Sequence, residues 1–298
     1  MDDLFKGFEA RWINTEAGRF FTRVGGEGPP VILLHGFPQT HAMWSQVAVA
    51  LAETHTVVCP DLRGYGWSFV PKEDEPETYS KRVMGQDAVA IMQELGHVRF
   101  ALVGHGRGAR VGYRLALDSP ERIEKLALLD IIPTSSVWGR MKDDPTVAPH
   151  WRFLSEPSPA PEQEIGRDPI RYYESLLKSW SGERGMKAFD WKALKSYRDS
   201  WNEPSRIHAS CEDYRAGATV DVEADRTDLA SGKKIRCPTL VLWGQWLASS
   251  AMAGGTSPLV FWHASFAPQA MGKQLDCGHF LAEEDPAGTL GALKQFLA

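Results

Sequence analysis

The sequence predicts an α/β fold with a mostly parallel central sheet flanked by helices and a helical cap inserted between two core strands. Short apolar runs such as PVILLHG (30–36) alternate with longer stretches whose apolar residues recur at helical spacing. Continuous apolar strands separated by helices are typical of a parallel sheet that is buried on both faces. The alternation stops between 133 and 234, where Pro, Trp, Asp and Glu are frequent. We therefore assign residues 1–132 and 235–298 to the core and residues 133–234 to the cap.

The predicted elements follow the chain in a regular order. Apolar runs predict strands at 30–36, 56–61, 99–105, 123–130 and 239–244, and more weakly at 272–277. Helical spacing predicts helices at 79–96, 107–120 and 285–298. The opening segments ARWINTEAG and RFFTRVGG predict an antiparallel hairpin. Because sites in open α/β sheets lie at the carboxyl ends of the strands, an insertion that leaves from such an end would cover the site.

Composition excludes several classes of function. The 298 residues carry a formal net charge of −5 without a basic cluster, so no nucleic-acid partner is expected. No apolar run approaches the roughly 18 residues of a membrane span, and the opening MDDLFKGFEARW lacks signal-peptide features, so we expect a cytoplasmic protein. The four cysteines are scattered and are interpreted as thiols. Histidines such as His208 have no ligand-like arrangement, so neither a metal nor another cofactor is expected.

The strongest chemical signal is GHGRG (104–108), which lies directly between a predicted strand and a predicted helix. This is the nucleophile-elbow pattern, in which two glycines permit a sharp strand-to-helix turn and the middle residue presents its side chain to a pocket. Here the middle residue is Gly106, which has no side chain to present. The five residues alone are weak evidence for a nucleophile elbow, but they lie in the strand–turn–helix context that the motif requires.

Three other segments agree with the elbow. The strand PVILLHG, which contains His35, runs into Phe37; in a fold of this type the loop contributes a backbone N–H to an oxyanion hole, and we expect His35 to shape that loop. DLRGYGWS (61–68) follows the next strand. Near the end, DCGHF (276–280) closes the last strand and carries His279, where such a fold keeps its histidine base.

Together these segments resemble a fluoroacetate (haloacetate) dehalogenase of the α/β-hydrolase superfamily. The resemblance covers essentially the full chain, from HGFPQTHAMW through GHGRGARVGYRLALDSP and LALLDIIPT to CGHFLAEE. It implies an aspartate nucleophile that attacks the halogen-bearing carbon, a histidine that activates water against the resulting ester, and an acid that orients the histidine. In this sequence those positions are Gly106, His279 and Asp130. The resemblance also implies a homodimer and a haloacetate substrate.

Arg107 and Arg110 follow the elbow in the first turn of the predicted helix. A spacing of three residues puts them on one face, and guanidinium groups suit bidentate recognition of a carboxylate. The resemblance implies that the pair binds the substrate carboxylate. The alternative is a pair of solvated helix arginines.

Within the predicted cap, the resemblance implies that His150, Trp151 and Tyr214 surround the departing halide. Three donors that converge on a small site would stabilise fluoride as it leaves. Trp180 is a further candidate for the cavity wall. The alternative is an aromatic cap core with a hydrogen-bonded histidine.

Glycine at position 106 removes the carboxylate that would attack carbon. Two explanations are open. The first is an engineered deletion of the nucleophile, which the presence of the other site residues favours; the second is a natural sequence that uses the same pocket differently. Since glycine tolerates positive φ, the fold should survive. We expect the chain to bind haloacetate or glycolate and to turn over very slowly or not at all.

Two other classes of function stay open. One is a non-enzymatic or differently reacting protein of α/β-hydrolase fold that binds a small carboxylate; the missing nucleophile favours it and the intact His279 disfavours it. The other is an epoxide hydrolase, which would want two cap tyrosines among Tyr172, Tyr173 and Tyr214 and would have little use for the arginine pair. The leading prediction is a hydrolase acting on carbon–halide bonds.

Overall fold

An eight-stranded sheet forms the centre of the protein in the computed structural model, which describes residues 3–72 and 75–298. The strands are, in chain order, β1 (Glu9–Asn14), β2 (Arg19–Gly25), β3 (Pro30–Leu34), β4 (Thr56–Pro60), β5 (Phe100–His105), β6 (Ile123–Leu129), β7 (Thr239–Trp243) and β8 (Met271–Gln274). They lie side by side in the order β1-β2-β4-β3-β5-β6-β7-β8. β2 is antiparallel to both β1 and β4, and the other neighbours are parallel. The predicted fold class and the opening hairpin are confirmed.

Helices connect the strands. Those outside the large insertion are α1 (Ser45–Leu51), α2 (Lys81–Glu94), α3 (Gly106–Asp118), α11 (Gln245–Ser249), α12 (Pro258–Ala264), α13 (Leu281–Glu284) and α14 (Pro286–Leu297). Those between β6 and β7 are α4 (Thr134–Asp143), α5 (Pro149–Leu154), α6 (Ala160–Gly166), α7 (Pro169–Trp180), α8 (Trp191–Trp201), α9 (Pro204–Ala216) and α10 (Val222–Ala230). Short 3₁₀ turns occur at His41–Trp44, Pro76–Tyr79 and Gly185–Ala188, and a π-helical turn occupies Gly217–Asp221.

The apolar runs of the sequence become strands because both of their faces are covered. Every residue of β5 and of β7 is buried, as expected for parallel strands between two layers of helices. β8 differs, since it is an edge strand and all four of its residues are exposed. It ends at Gln274, three residues before the predicted limit, where its neighbour β7 also ends, since Gln274 pairs with Trp243.

Residues 134–230 contain no strand and form what we call the insertion helices. They leave the sheet after the carboxyl end of β6 and return before β7. The predicted cap limits, 133 and 234, fall in the loops on either side of them. Within the described part of the chain, no helix combines the length and the apolar character needed to cross a bilayer.

Strand register brings the loops that follow β3, β5, β6 and β7 to one edge of the sheet. Leu34 pairs with Gly104, His105 pairs with Leu129, and Leu129 pairs in turn with Leu242. The carboxyl ends of these four strands are therefore level. Side chains that follow them meet beneath the insertion helices.

Candidate active site

The strand-to-helix turn between β5 and α3 depends on two of its glycines. A Cβ atom on Gly104 would lie 2.5 Å from the Cα atom of Ala109, and one on Gly108 would lie 2.3 Å from the carbonyl oxygen of Leu34. Real Cβ atoms do not approach backbone so closely, so both positions require glycine. The turn consequently packs tightly against the end of β3.

Gly106 is different, because packing leaves room for a side chain. Its φ is +51°, the left-handed conformation that suits glycine. A Cβ atom there would lie 3.5 Å from the Cα of Gly36 and 3.7 Å from Nε2 of His279, which are ordinary contacts. A side chain at this position would therefore extend beside the His279 ring at moderate backbone strain.

His279 and Asp130 are in direct contact. Nδ1 of His279 lies 2.6 Å from Oδ2 of Asp130, whose Oδ1 accepts a hydrogen bond of 2.7 Å from the backbone N–H of Gly244. Asp130 has a φ of +56° at the end of β6, an uncommon conformation for a residue with a side chain. A carboxylate at Nδ1 favours the tautomer in which Nδ1 carries the proton, so Nε2 is left as the proton acceptor.

Burial determines the protonation of this pair. It lowers the pKa of His279 to about 3, with Glu284 acting in the opposite direction and Arg110 lowering the pKa further. Burial also raises the pKa of Asp130 well above its usual value, although the N–H of Gly244 opposes that shift. Because a low pKa keeps the imidazole neutral at neutral pH, His279 is available as a general base.

Arg107 is held by a carboxylate of the insertion helices. Its Nε donates to Oδ2 of Asp213 over 3.0 Å, and its Nη2 donates to Oδ1 and to the backbone oxygen of Asp213 over 2.6 Å each. Nη1 is buried and has no hydrogen-bond partner within the described residues. Burial opposes the charge, but the attraction of Asp213 outweighs it and raises the pKa of Arg107. One nitrogen of a fixed guanidinium is thus left for a ligand.

Arg110 has no carboxylate partner among the described residues. Its Nη1 donates to the backbone oxygen of Ile132 over 3.1 Å and to Oγ1 of Thr134 over 2.9 Å. Its guanidinium lies 4.5 Å from the ring centre of Trp151. Burial lowers the pKa of Arg110 to about 10. The side chains of Arg107 and Arg110 are almost fully buried, so the alternative of solvated helix arginines is wrong.

A cavity of about 40 Å³ lies between the elbow and the insertion helices. Ten of the eleven predicted site residues line it, namely Phe37, Gly106, Arg107, Arg110, Asp130, His150, Trp151, Trp180, Tyr214 and His279. A volume of this size has room for about three water-sized positions. It therefore suits a ligand of only a few non-hydrogen atoms.

His35 is the predicted residue that does not line the cavity. Its Nε2 accepts the backbone N–H of Leu62 over 3.0 Å, and its Nδ1 lies 3.0 Å from the backbone oxygen of Gly36. Both ring nitrogens are used behind the loop, so the imidazole faces away from the ligand space. These contacts are those expected of a residue that shapes the loop carrying Phe37, although the ring does not reach the cavity itself.

Aromatic rings form the wall on the side of the insertion helices. The ring centres of His150 and Trp180 are 4.5 Å apart, and the ring of His150 lies 5.9 Å from that of Tyr214. Burial lowers the pKa of His150 to about 3, and the nearby His279 and arginines lower it further. The predicted halide residues are thus assembled beside the arginines, around a ring that is neutral at neutral pH.

Sequence reasoning missed Asp213 and its surroundings. Lys81, at the start of α2, forms an ion pair with the Asp213 carboxylate, and the hydroxyl of Tyr65 donates to it over 2.7 Å. The neighbouring cations hold the pKa of Asp213 below its usual value despite burial. The only signal was its position next to Tyr214. Ile131, Trp246 and Met252 also line the cavity. Trp246 lies in the short helix α11 and Met252 in the loop after it, and neither belongs to a motif.

A second cavity of about 500 Å³ adjoins the small one. The two share His150, Trp180, Trp246 and Met252 in their walls. These four side chains therefore separate the candidate ligand space from a wider space beyond it.

One possible set of metal ligands occurs within the described residues. Ligand atoms of Glu162, His208 and Glu212 lie within 4.8 Å of one another, so the expectation that His208 stands apart from other ligands was wrong. Nη1 of Arg215 donates to both carboxylates, over 2.7 and 2.6 Å. Because Arg215 bonds both carboxylates and His208 lies 3.0 Å from Glu162, the cluster is explained as an ion-pair network of the insertion helices.

Comparison with known proteins places this geometry in a family. Residues 29–286 match the family model described as the alpha/beta hydrolase fold. A fluoroacetate dehalogenase from Burkholderia sp. is 43% identical, over 99% of this chain and 95% of that protein. A soluble epoxide hydrolase from Corynebacterium sp. is 30% identical, over 92% and 91% of the two chains.

Solved structures agree with this placement. A protein from Nostoc sp., provisionally described as an alpha/beta hydrolase, has a TM-score of 0.92 at 44% identity and covers 99% of both chains. A protein from Pseudomonas aeruginosa, provisionally described as an epoxide hydrolase, has a TM-score of 0.90 at 39% identity over 100% of this chain and 97% of that one. The chain therefore belongs to the α/β-hydrolase family, and fluoroacetate dehalogenase is its relative over nearly the full length.

Proposed function

We propose that this chain is a hydrolase built for haloacetates, converting fluoroacetate and other 2-haloacetates to glycolate and halide, in which the nucleophile position is empty. The observation that carries the proposal is that Gly106, the arginine pair and the His279–Asp130 pair all line one cavity of about 40 Å³. Residues 133–234 would act as the cap over this cavity. A homodimer formed through the cap rests on the family resemblance alone and is tested by measuring the mass in solution.

The substrate carboxylate would bind between the two arginines. Among the residues that the structure describes, Arg110 is a buried cation without a carboxylate partner, and Nη1 of Arg107 has no hydrogen-bond partner. An anion supplies the missing partner in both cases, and each hydrogen bond between ions is stronger than a neutral one. The α-carbon would then lie towards position 106, and its halogen towards His150, Trp151 and Tyr214.

The reaction would need a carboxylate at position 106. Its oxygen would attack the α-carbon and expel the halide, which forms an ester; His279, oriented by Asp130, would then activate water to hydrolyse that ester. Gly106 lacks the attacking group. Direct attack by water with His279 as base is the remaining route, and losing the covalent step lowers the rate by several orders of magnitude.

The test is fluoride release from fluoroacetate by this chain and by its Gly106→Asp variant. A side chain at 106 has room beside Nε2 of His279, so we expect activity only in the variant. Gly106→Asn is the matched control, because it has the same shape without the nucleophilic charge and should stay inactive. Fluoride release by the unchanged chain at ordinary enzyme rates would contradict the proposal.

The second candidate is a protein that binds a small carboxylate without hydrolysing it. The buried, uncompensated charge of Arg110 favours this candidate, since an anion binds there whether or not chemistry follows. The binding protein becomes the better-supported candidate if glycolate or acetate binds while both the unchanged chain and Gly106→Asp are inactive on fluoroacetate.

An epoxide hydrolase is less compatible with the site. Tyr214 lines the cavity, whereas Tyr173 uses its hydroxyl 3.3 Å from Ser210 and does not line it. A neutral epoxide would also leave the buried charge of Arg110 without a partner. If Arg110→Ala leaves glycolate binding unchanged, the result would favour an epoxide hydrolase over a carboxylate-binding site.

A further inference from the structure

We propose that the unchanged chain hydrolyses small O-acyl glycolates, such as acetoxyacetate, to glycolate and a short carboxylic acid. The inference rests on the proposed binding of a carboxylate by Arg107 and Arg110, but it requires no nucleophile at position 106. It assigns to Gly106 an activity of its own.

The first step of the argument is shape. A carboxyl side chain at 106 would carry its glycolyl group as an ester. Acetoxyacetate contains the same atoms as that ester, detached from the chain between Cα and Cβ, so its acetyl methyl group corresponds to the missing Cβ. The corresponding position is clear of its neighbours, at 3.5 Å from the Cα of Gly36 and 3.7 Å from Nε2 of His279.

A detached methyl group cannot approach the Cα of Gly106 as closely as a bonded Cβ. It needs a carbon–carbon separation of about 3.5–4.0 Å, which moves the ester about 2 Å into the ligand space. Gly106 and both arginines line the small cavity, which by itself holds only about three water-sized positions. Binding of all eight non-hydrogen atoms of acetoxyacetate therefore requires His150 and Trp180 to shift towards the adjoining space of about 500 Å³, whose wall they share. A two-carbon acyl group is therefore the expected size, and longer acyl groups should fit poorly.

The second step is charge. The glycolate carboxylate of the ester provides Arg110 with the anion that no described residue supplies, and it reaches the unpaired Nη1 of Arg107. An aspartate at 106 would fill the acyl space and add a second negative charge beside the ester. The glycine makes this space available to a free acyl group.

The third step is chemistry that the remaining groups can perform. Nε2 of His279 accepts a proton from water as the water oxygen bonds to the acyl carbon, and the imidazolium is stabilised by Asp130 at 2.6 Å. Backbone N–H groups at the start of α3 have no partner within the helix and no capping side chain, so they are the donors available to the developing oxyanion. The ester C–O bond then breaks, and the glycolate oxygen takes the proton from His279. Water is consumed, and acetic acid and glycolate are released.

The test measures acetoxyacetate hydrolysis by the unchanged chain against 2-methoxyethyl acetate, an ester of similar size without the carboxylate. We expect a preference of about 100-fold in kcat/KM for acetoxyacetate, the value of two charge-assisted contacts. His279→Gln should lower the rate about 100-fold or more, as loss of a general base does. Asp130→Asn should lower it as well and serves as a second variant if the first folds poorly.

The Gly106→Asp variant gives the decisive contrast. It should lose most of the acetoxyacetate hydrolysis and gain fluoride release, so that the two activities change in opposite directions. A rate for the unchanged chain equal to that of buffer, or one that His279→Gln leaves intact, would overturn the inference. If Gly106→Asp nevertheless releases fluoride, the proposed function stands and this inference alone fails; if neither reaction occurs, both fail.

Discussion

The surroundings of Arg107 and Arg110 differ, although both residues lie in the first turns of α3 and line the same cavity. Arg107 makes three hydrogen bonds to Asp213. Arg110 makes two to neutral oxygens and has no ion pair within the described residues. Accordingly the attraction of Asp213 raises the pKa of Arg107 despite burial, whereas burial lowers that of Arg110 to about 10.

This difference gives the two arginines different roles: Arg107 contributes to the stability of the fold, and Arg110 contributes mainly to ligand binding. A buried ion pair that loses one partner is strongly destabilised, because the other charge is left uncompensated. Arg107 is therefore part of the fold as well as of the pocket. Arg110 has no ion pair within the described residues, so an anionic ligand stabilises the charge of this residue most. Four predictions follow from this contrast, from the largest effect to the smallest.

Asp213→Asn should reduce the free energy of unfolding by about 3–5 kcal/mol, because two buried cations, Arg107 and Lys81, lose their shared carboxylate. Urea unfolding at pH 7 measures this change. Asp199→Asn is the matched control, since Asp199 pairs with Lys195 on the exposed surface of α8 and should change the free energy by less than about 1 kcal/mol. Equal effects of the two substitutions would remove the distinction between Arg107 and Arg110.

The stability of the protein should fall below pH 6.5, and His279 should account for part of the loss. Its pKa is about 3 in the folded protein and 6.5 as the usual value, so the unfolded state binds more protons in between. The contribution is complete above pH 6.5 and decreases by about 2 kcal/mol between pH 6.5 and 5.

The difference in unfolding between the chain and His279→Gln across this pH range measures the contribution of the His279–Asp130 pair, in which the lowered pKa of His279 and the raised pKa of Asp130 act in opposite directions. Subtraction also removes the opposite trend of Glu283, whose pKa burial raises to about 8. Gly106→Asp should flatten the profile, since a carboxylate beside Nε2 favours the imidazolium. If the free energy of unfolding differs between the unchanged chain and His279→Gln by the same amount at every pH, the proposal that His279 is neutral in the folded protein would be contradicted.

Arg110→Met should weaken glycolate binding by about tenfold or more, the value of one charge-assisted hydrogen bond. It should change the free energy of unfolding by less than about 1 kcal/mol, because removing an unpaired buried cation offsets the two lost hydrogen bonds. Arg107→Met should lower both binding and stability. Titration calorimetry and urea unfolding of the two variants test the contrast, and equal losses of stability would refute it.

Gly106→Ala should destabilise the protein by about 1–2 kcal/mol through its positive φ alone, since a methyl group meets only ordinary contacts there. Glycolate binding at the arginines should change little. Thermal unfolding with and without glycolate measures both effects. If Gly106→Ala weakens glycolate binding as much as Arg110→Met does, a substitution at the elbow also changes carboxylate binding by the arginines, which would contradict this prediction.

Periodicity and motif spacing could predict the parts of the site that follow strands. The runs before Gly106 and Asp130 are continuous and apolar, so buried strands place these residues at one edge of the sheet. His279 follows the weakest strand, and its place was inferred from the resemblance rather than from periodicity. Strand register accounts for the positions of Gly106 and Asp130 in the cavity wall, whereas the predicted aromatic residues of the cap reach the same cavity from α5, α7 and α9.

Contacts between distant segments could not be predicted in this way. Asp213 meets Arg107 across 106 positions of sequence and Lys81 across 132, and no local pattern encodes such a pairing. Helical spacing showed that Arg107 and Arg110 share a face, but it could not show that only one of them has an ionic partner.

The shared carboxylate of Asp213 also has a mechanical consequence. It links α9 of the insertion to α2 through Lys81 and to α3 through Arg107. Separating these helices would leave buried charges without their ionic partners. That edge of the insertion behaves as its fixed side. His150 and Trp180 line both the small cavity and the space of about 500 Å³. We therefore expect ligands to enter and leave through rotation of these two side chains, without displacement of the insertion helices.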